Sequence, residues 1–317
     1  MDNKTRIAVC SRSFSQNKVL RQELLEKFSN VKFNDDGKSL GGDELVSFLD
    51  NVDGAVVALE YLNEDILGKL KSLKFIGKYG VGLDKLDLEA MSASNVKMGW
   101  TPGVNSRAVA ELTVALSLDL IRKISESRKV AENGEWTQIK GRQLSTAKVG
   151  ILGFGHVGSK VAALMNAFGA KVIAHDKQNL SKSMEEACVE SVDFSTLVKE
   201  SDLLCLHIPH NAVNHHIIGE KEMAAMKRGS YIVNTARGGL IDEEALVTFL
   251  ESSQLAGVAL DVLEVEPPIG NPLLKRNDVI ITSHIGGSSQ EAILAMGQAA
   301  INGLSNYCDA ISYKKYL

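Results

Sequence analysis

The four cysteines of this chain, Cys10, Cys188, Cys205 and Cys308, include no C-x-x-C pair. That absence argues against a thiolate metal site or a disulfide framework and for free thiols in a reducing compartment. An excess of basic residues is missing too. The formal charge is −4, which speaks against a nucleic acid or an anionic membrane as partner, while leaving room for a local basic pocket that binds an anionic metabolite. No apolar run is long enough for a bilayer. The longest, from Ala108 to Ile124, is broken by Glu111, Asp119 and Arg122 and reads as a helix buried on more than one face. The opening M-D-N-K-T-R-I-A-V-C lacks the regions of a secretion signal, and the closing Y-K-K-Y-L is no peroxisomal address. A cytoplasmic protein is expected, without internal repeats or low-complexity tracts.

What is present is an ordinary globular composition, 44% hydrophobic and 23% charged, over 317 residues, which suggests two domains. β-Rich runs at Ile7–Cys10, Ala55–Leu59, Phe75–Tyr79 and Val96–Trp100 alternate with helical patterns at Val19–Phe28, Glu44–Leu49 and Asp65–Leu70. After a polar segment near Asn133–Arg142 the alternation restarts, with strand-like runs at Val149–Phe154, Val172–Ala174, Leu203–Ile208, Tyr231–Asn234, Val258–Leu260 and Val279–Thr282. Such alternation predicts an α/β fold of two doubly wound parallel-sheet domains. A last helix near Gln290–Asn306 follows the second sheet and could return to the first domain. The expected division is 1–104 with 288–317, and 105–287, with a hinge where the chain crosses near Thr101–Asn105 and His284–Ser289.

The run Val149–Leu152 leads directly into G-F-G-H-V-G and then into a helical pattern at Lys160–Phe168. In that context Gly153 permits a tight turn, Gly155 lets backbone approach a pyrophosphate, and Gly158 lets helix and strand pack closely. The helix N-terminus offers free N–H groups and a positive dipole end to phosphates. Asp176 ends the next strand-like run, K-V-I-A-H-D, roughly twenty residues beyond the glycines, where a carboxylate bonds ribose hydroxyls and repels a 2′-phosphate. NAD is therefore favoured over NADP, although Lys177 and Lys182 follow closely. A structural tight turn is the duller reading of the glycines.

Three late runs, N-T-A-R-G-G-L-I-D, L-D-V-L-E-V-E-P-P and S-H-I-G-G-S-S, place Arg237, Glu266 and His284 where strands give way to Gly- or Pro-punctuated loops. Together they suit keto-acid reduction. Arg forks onto a carboxylate, His passes a proton to a carbonyl oxygen, and Glu favours the imidazolium. Singly, each has a plainer role: a surface cation, a capping carboxylate, a buried histidine bonded to backbone. His207, His210, His215 and His216 lack metal-site spacing, so no metal is expected.

With these runs, K-Y-G-V-G-L-D-K-L-D-L at Lys78–Leu88 and T-P-G-V-N-S-R-A-V-A-E-L at Thr101–Leu112, the chain resembles the D-isomer-specific 2-hydroxyacid dehydrogenase family over almost its whole length. The resemblance implies a discontinuous flavodoxin-like substrate domain, a Rossmann NAD-binding domain, a cleft between them, and a homodimer or larger assembly. It implies His284 as acid/base, Glu266 as its partner, Arg237 as substrate anchor, and the amides of Val81 and Gly82 on the substrate carboxylate. Asp261 matches the residue that meets the nicotinamide amide, while Pro209, Thr235, Gly286 and the loop residues His156 and Val157 fall along the cofactor, and Asn105 along the substrate.

N-S-R-A-V-A-E and H-I-G-G-S-S-Q-E-A are most similar to 3-phosphoglycerate dehydrogenases, which makes 3-phosphoglycerate and phosphohydroxypyruvate the expected pair. Some residues depart from that pattern. Val56–Leu62 carries Glu60 where phosphate-binding arginines often stand, which leaves Arg12 and Lys78 as the cations expected at the substrate; His156 replaces a common Arg. No C-terminal regulatory domain is expected. A hydroxypyruvate- or glyoxylate-type reductase stays open, as does a non-catalytic NAD(H)-sensing protein; a nucleotide-dependent methyltransferase would leave the late trio unexplained.

Overall fold

The computed structural model describes residues 2–316. Its strands are β1 (Asp2–Val9), β2 (Phe28–Phe33), β3 (Gly54–Val57), β4 (Phe75–Lys78), β5 (Lys97–Gly99), β6 (Lys148–Leu152), β7 (Lys171–His175), β8 (Glu190–Ser191), β9 (Leu203–Leu206), β10 (Ser230–Asn234), β11 (Leu255–Leu260), β12 (Val279–Ile281) and β13 (Cys308–Asp309). The chain divides into two compact units, Met1–Asn105 with Gly287–Leu317, and Ser106–Gly286. Each is an α/β layer structure around one sheet.

In the first unit the sheet order is β13-β5-β4-β3-β1-β2. All pairs are parallel except β13 with β5, so β1 to β5 follow the flavodoxin-like order 2-1-3-4-5. β3 and β4 are buried along their whole length, as strands covered on both faces must be. Leu20 and Leu24 of the Lys18–Lys27 helix and Met296, Ala300 and Ile301 of the Gln290–Gly303 helix cover one face. Leu45, Ile66, Leu67, Leu88 and Met91 cover the other. The Gln290–Gly303 helix lies directly on sheet backbone: a Cβ on Gly77 would fall 2.2 Å from Ala300 O, and one on Gly99 2.2 Å from Gly303 O. β2 has no counterpart in the sequence reading, which ran a helix to Phe28. The helix stops at Lys27 and the edge strand Phe28–Phe33 follows with only Phe28 buried, and its apolar residues Phe28, Val31 and Phe33 do not alternate through the strand.

In the second unit the order is β12-β11-β10-β9-β6-β7-β8, all parallel. Renumbered from β6 this is 3-2-1-4-5-6-7, the doubly wound Rossmann arrangement with an added strand. The Ser106–Arg122 and Gly158–Ala167 helices pack on one face through Ala110, Val114, Val161 and Met165; the Phe194–Glu200, Glu220–Ala225 and Glu243–Glu251 helices pack on the other through Leu197, Met223 and Leu246. Order reverses between β6 and β9, and ligands of such sheets bind outside the carboxyl ends of the strands at that reversal. None of the described helices is long and apolar enough to cross a membrane.

Candidate active site

The dinucleotide loop begins where β6 ends. Gly153 has φ +94, and a Cβ there would lie 2.5 Å from His207 O, so both backbone and neighbour require glycine. A Cβ on Gly158 would fall 1.9 Å from Gly153 O, which keeps the Gly158–Ala167 helix close against its strand. Gly155 differs: nothing lies within 4 Å of its Cβ position. The N-cap Val157 offers no side-chain bond to the first turn, and His156 beside it is exposed. Asp176, just past β7, accepts the Phe154 N–H at 2.7 Å and the Gln178 N–H at 2.9 Å, one on each oxygen. A carboxylate has about four acceptor sites, so the ribose hydroxyls can still be met. Open backbone at Gly155, uncapped helix amides and a carboxylate fixed to the loop together fit NAD.

Arg237 leaves β10 through a turn closed by Asn234. The buried Asn234 side chain accepts the Ala236 N–H at 3.0 Å and donates to Arg237 O at 2.8 Å. Sequence reasoning passed over this residue; an Asn at a strand end, three residues before a proposed anchor, was the available signal. Thr235 is buried with its hydroxyl 2.8 Å from Thr113 Oγ1, and Pro209 is exposed, its carbonyl accepting Asn214 Nδ2 at 2.8 Å.

Glu266 and His284 meet. His284 Nδ1 is 2.8 Å from Glu266 Oε2, and Glu266 Oε1 accepts the Leu263 N–H at 3.1 Å. This leaves Nε2 as the ring nitrogen available for proton transfer. Both side chains are more than a third exposed. A Cβ on Gly238 would lie 2.0 Å from Leu263 O, so the turn bearing Arg237 packs against the segment bearing Glu266. Asp261, 2% exposed, accepts from Thr282 Oγ1 (2.6 Å), Ile285 N–H (2.8 Å) and Gly286 N–H (2.8 Å). Its carboxylate is thus largely committed to the turn that carries His284.

In the first unit, Gly80 takes φ +98 just before the half-buried Val81 and Gly82. Lys78 is 4% exposed and its ammonium donates to Ala58 O (2.6 Å) and Tyr79 O (3.1 Å). Glu60 is nearly as buried, accepts the Ala58 N–H at 2.6 Å, and burial raises its pKa. Arg12 is exposed in the first turn of the short Arg12–Gln16 helix. Asn105 is buried with its Oδ1 unpartnered among the described residues.

A family model described as D-isomer specific 2-hydroxyacid dehydrogenase, NAD binding domain, matches residues 114–286. The chain belongs to this family. Like its members it is an NAD-dependent oxidoreductase acting on the CH–OH group of its donors. A hydroxypyruvate reductase of Thermotoga maritima is 40% identical over 261 residues, 80% of this chain and 84% of that protein. A D-3-phosphoglycerate dehydrogenase of Methanocaldococcus jannaschii is 37% identical over 279 residues, 87% of this chain but 53% of that protein. Among solved structures, D-lactate dehydrogenase from Aquifex aeolicus, complexed with NAD and lactic acid, superposes with a TM-score of 0.83 at 26% identity, covering 94% of this chain and 93% of that one.

Proposed function

We propose that the enzyme interconverts a small, unphosphorylated 2-keto acid, of the hydroxypyruvate or glyoxylate class, and its D-2-hydroxy acid. One observation carries the substrate class: Lys78, one of two cations expected to meet a substrate phosphate, is buried with its ammonium bonded to two carbonyl oxygens, and the Glu60 carboxyl, bonded to the Ala58 N–H, interacts with its charge. A phosphate needs fixed donors; here the remaining candidate is the exposed Arg12. A second reading, phosphohydroxypyruvate, rests on that arginine.

Bound NAD(H) supplies or accepts the hydride at C2. Arg237 holds the substrate carboxylate in its fork of donors, and in the family pattern the amides of Val81 and Gly82 add to it. His284 Nε2 gives a proton to the carbonyl oxygen in reduction and takes it back in oxidation. Glu266 on Nδ1 orients the ring and stabilises its charged form. Reduction thus consumes a proton held on the ring, and oxidation returns one to it.

Rates at 340 nm with NADH and glyoxylate, hydroxypyruvate or phosphohydroxypyruvate test the reading. We expect kcat/KM for one of the first two to exceed that for the phosphorylated acid by at least about tenfold, the effect of about 1.4 kcal/mol of differential binding. The reverse order would return the assignment to phosphohydroxypyruvate. His284→Gln should lower kcat by about 10²-fold or more; a rate within threefold of wild type removes His284 from the mechanism. We further place the protein in the cytoplasm, in keeping with four free cysteines, and as a homo-oligomer, in keeping with Trp136, 93% exposed in the second unit.

A further inference from the structure

The stretch between Pro209 and Ile217 carries three histidines to which the mechanism gives no part. His210 Nε2 lies 3.2 Å from His215 Nδ1, and the His215 ring stacks on His216 with centroids 3.9 Å apart. Among the described residues no group of three or more His, Cys, Asp or Glu is placed to hold a metal ion. His216 instead joins two functional segments. Its N–H donates to Gly239 O at 2.8 Å, two residues beyond Arg237. Its Nε2 is 2.5 Å from Glu264 Oε1, two residues before Glu266, and its Nδ1 is 3.8 Å from Asp242 Oδ2.

Further contacts gather at the same point. Glu264 N–H donates to Glu243 Oε1 at 2.8 Å, Gly238 abuts Leu263 O, and Leu263 N–H donates to Glu266 Oε1. His216 also takes φ +50, a conformation that is unfavourable for a residue with a Cβ, so its ring is held here against backbone preference. The His216–Glu264 pair is about one-third exposed on each side; such a pair adds little to global stability, but a short bond to a carboxylate fixes geometry.

We propose that His216 is a positioning residue for the reaction: through Gly239 and Glu264 it sets the spacing between the turn that presents Arg237 and the turn that presents Glu266 to His284. The inference rests on the roles given above to Arg237, Glu266 and His284. Misplacing a reacting group by about 1 Å can cost about 10²-fold, so a loosened clasp should show in both substrate affinity and proton transfer.

His216→Asn keeps a residue that tolerates the left-handed backbone and removes the reach to Glu264; Glu264→Ala removes the partner, and Glu264→Gln keeps an acceptor. With hydroxypyruvate and NADH, His216→Asn and Glu264→Ala should each lower kcat/KM by about tenfold, with KM raised as well as kcat lowered. Glu264→Gln should recover most of the loss. NADH affinity by fluorescence should stay within about twofold, since the dinucleotide loop is untouched. The His284 ring resonances, followed by NMR, should move in both loss-of-contact variants and need no turnover. Unmoved His284 ring resonances, or activity lost only in step with melting temperature, overturn the proposal. His284→Gln measured in parallel separates the cases: if it retains the wild-type rate, the reading of the active site fails and not the clasp alone.

Discussion

Asp261 holds the chain at His284 twice, once with its backbone and once with its side chain. Its carbonyl oxygen accepts the His284 N–H at 2.9 Å, while its carboxylate accepts the next two amides and the Thr282 hydroxyl. His284 needs that support because its φ is +56, where a side chain costs about 1–2 kcal/mol. The acid is thus placed to decide where the imidazole points.

Asp261→Asn should therefore reduce kcat and stability together. An asparagine keeps one acceptor oxygen but turns an amino group towards the Gly286 N–H, leaving a buried donor unmatched, at about 1–3 kcal/mol. Urea unfolding should show that loss, and kcat should fall by about tenfold or more. Wild-type values for both would mean that the Thr282–Gly286 turn holds its shape without the carboxylate.

Asp176→Ala should change cofactor choice. The substitution removes the charge that disfavours a 2′-phosphate and the acceptor that fixes the Phe154 N–H. Hydrogen bonds to a charged group contribute about 1.5–3 kcal/mol, so NADH affinity should weaken by about tenfold or more and the preference over NADPH should shrink. Fluorescence titration with both cofactors reads this directly; an unchanged ratio would assign selectivity elsewhere.

His207 should make the protein acid-sensitive. The residue is part-buried overall, but both ring nitrogens are sealed from solvent without a partner among the described residues, and burial pushes its pKa down to about 3. In the unfolded chain it titrates near 6.5. Below that pH the unfolded state binds the proton more readily, so stability is lost as pH falls from about 6.5 towards 3, by up to about 1.4 kcal/mol per pH unit. His207→Leu should lose less of its urea midpoint between pH 7 and pH 4.5 than wild type; equal losses would show that His207 is not the titrating group.

Trp136→Glu should test the homo-oligomer. A tryptophan 93% exposed suits a protein interface, where this side chain is enriched. Sedimentation should show a smaller species for the variant at micromolar concentration, with the α/β circular dichroism retained. A wild-type sedimentation coefficient in the variant would place the interface elsewhere.

Much of the architecture was legible. The glycine loop could be read because its spacing falls within one strand–turn–helix unit, and the strand–helix alternation announced parallel sheets. Three of the four edge strands were not. Only Phe28 of Phe28–Phe33 is buried and its apolar residues do not alternate, and β8 and β13 have two exposed residues each. At the site, Arg237, Glu266 and His284 stood out by residue type beside Gly and Pro. The contact between Glu266 and His284, across 18 positions, is a product of folding. Asn234 was missed because its role lies in two bonds to its own turn, which compete in any sequence with many other uses of an asparagine.

Taken alone, the sequence determined the α/β class, the two parallel sheets, the NAD loop and the family, because periodicity and glycine conformation are local properties that survive without knowledge of distant partners. Only the tertiary structure decided which polar groups are already committed. Lys78 has given its ammonium to Ala58 and Tyr79, Asp261 has given its carboxylate to the His284 turn, and His216 reaches Glu264 across 48 positions. A donor or acceptor has few bonds to give, and which neighbour receives them depends on segments that only the fold brings together.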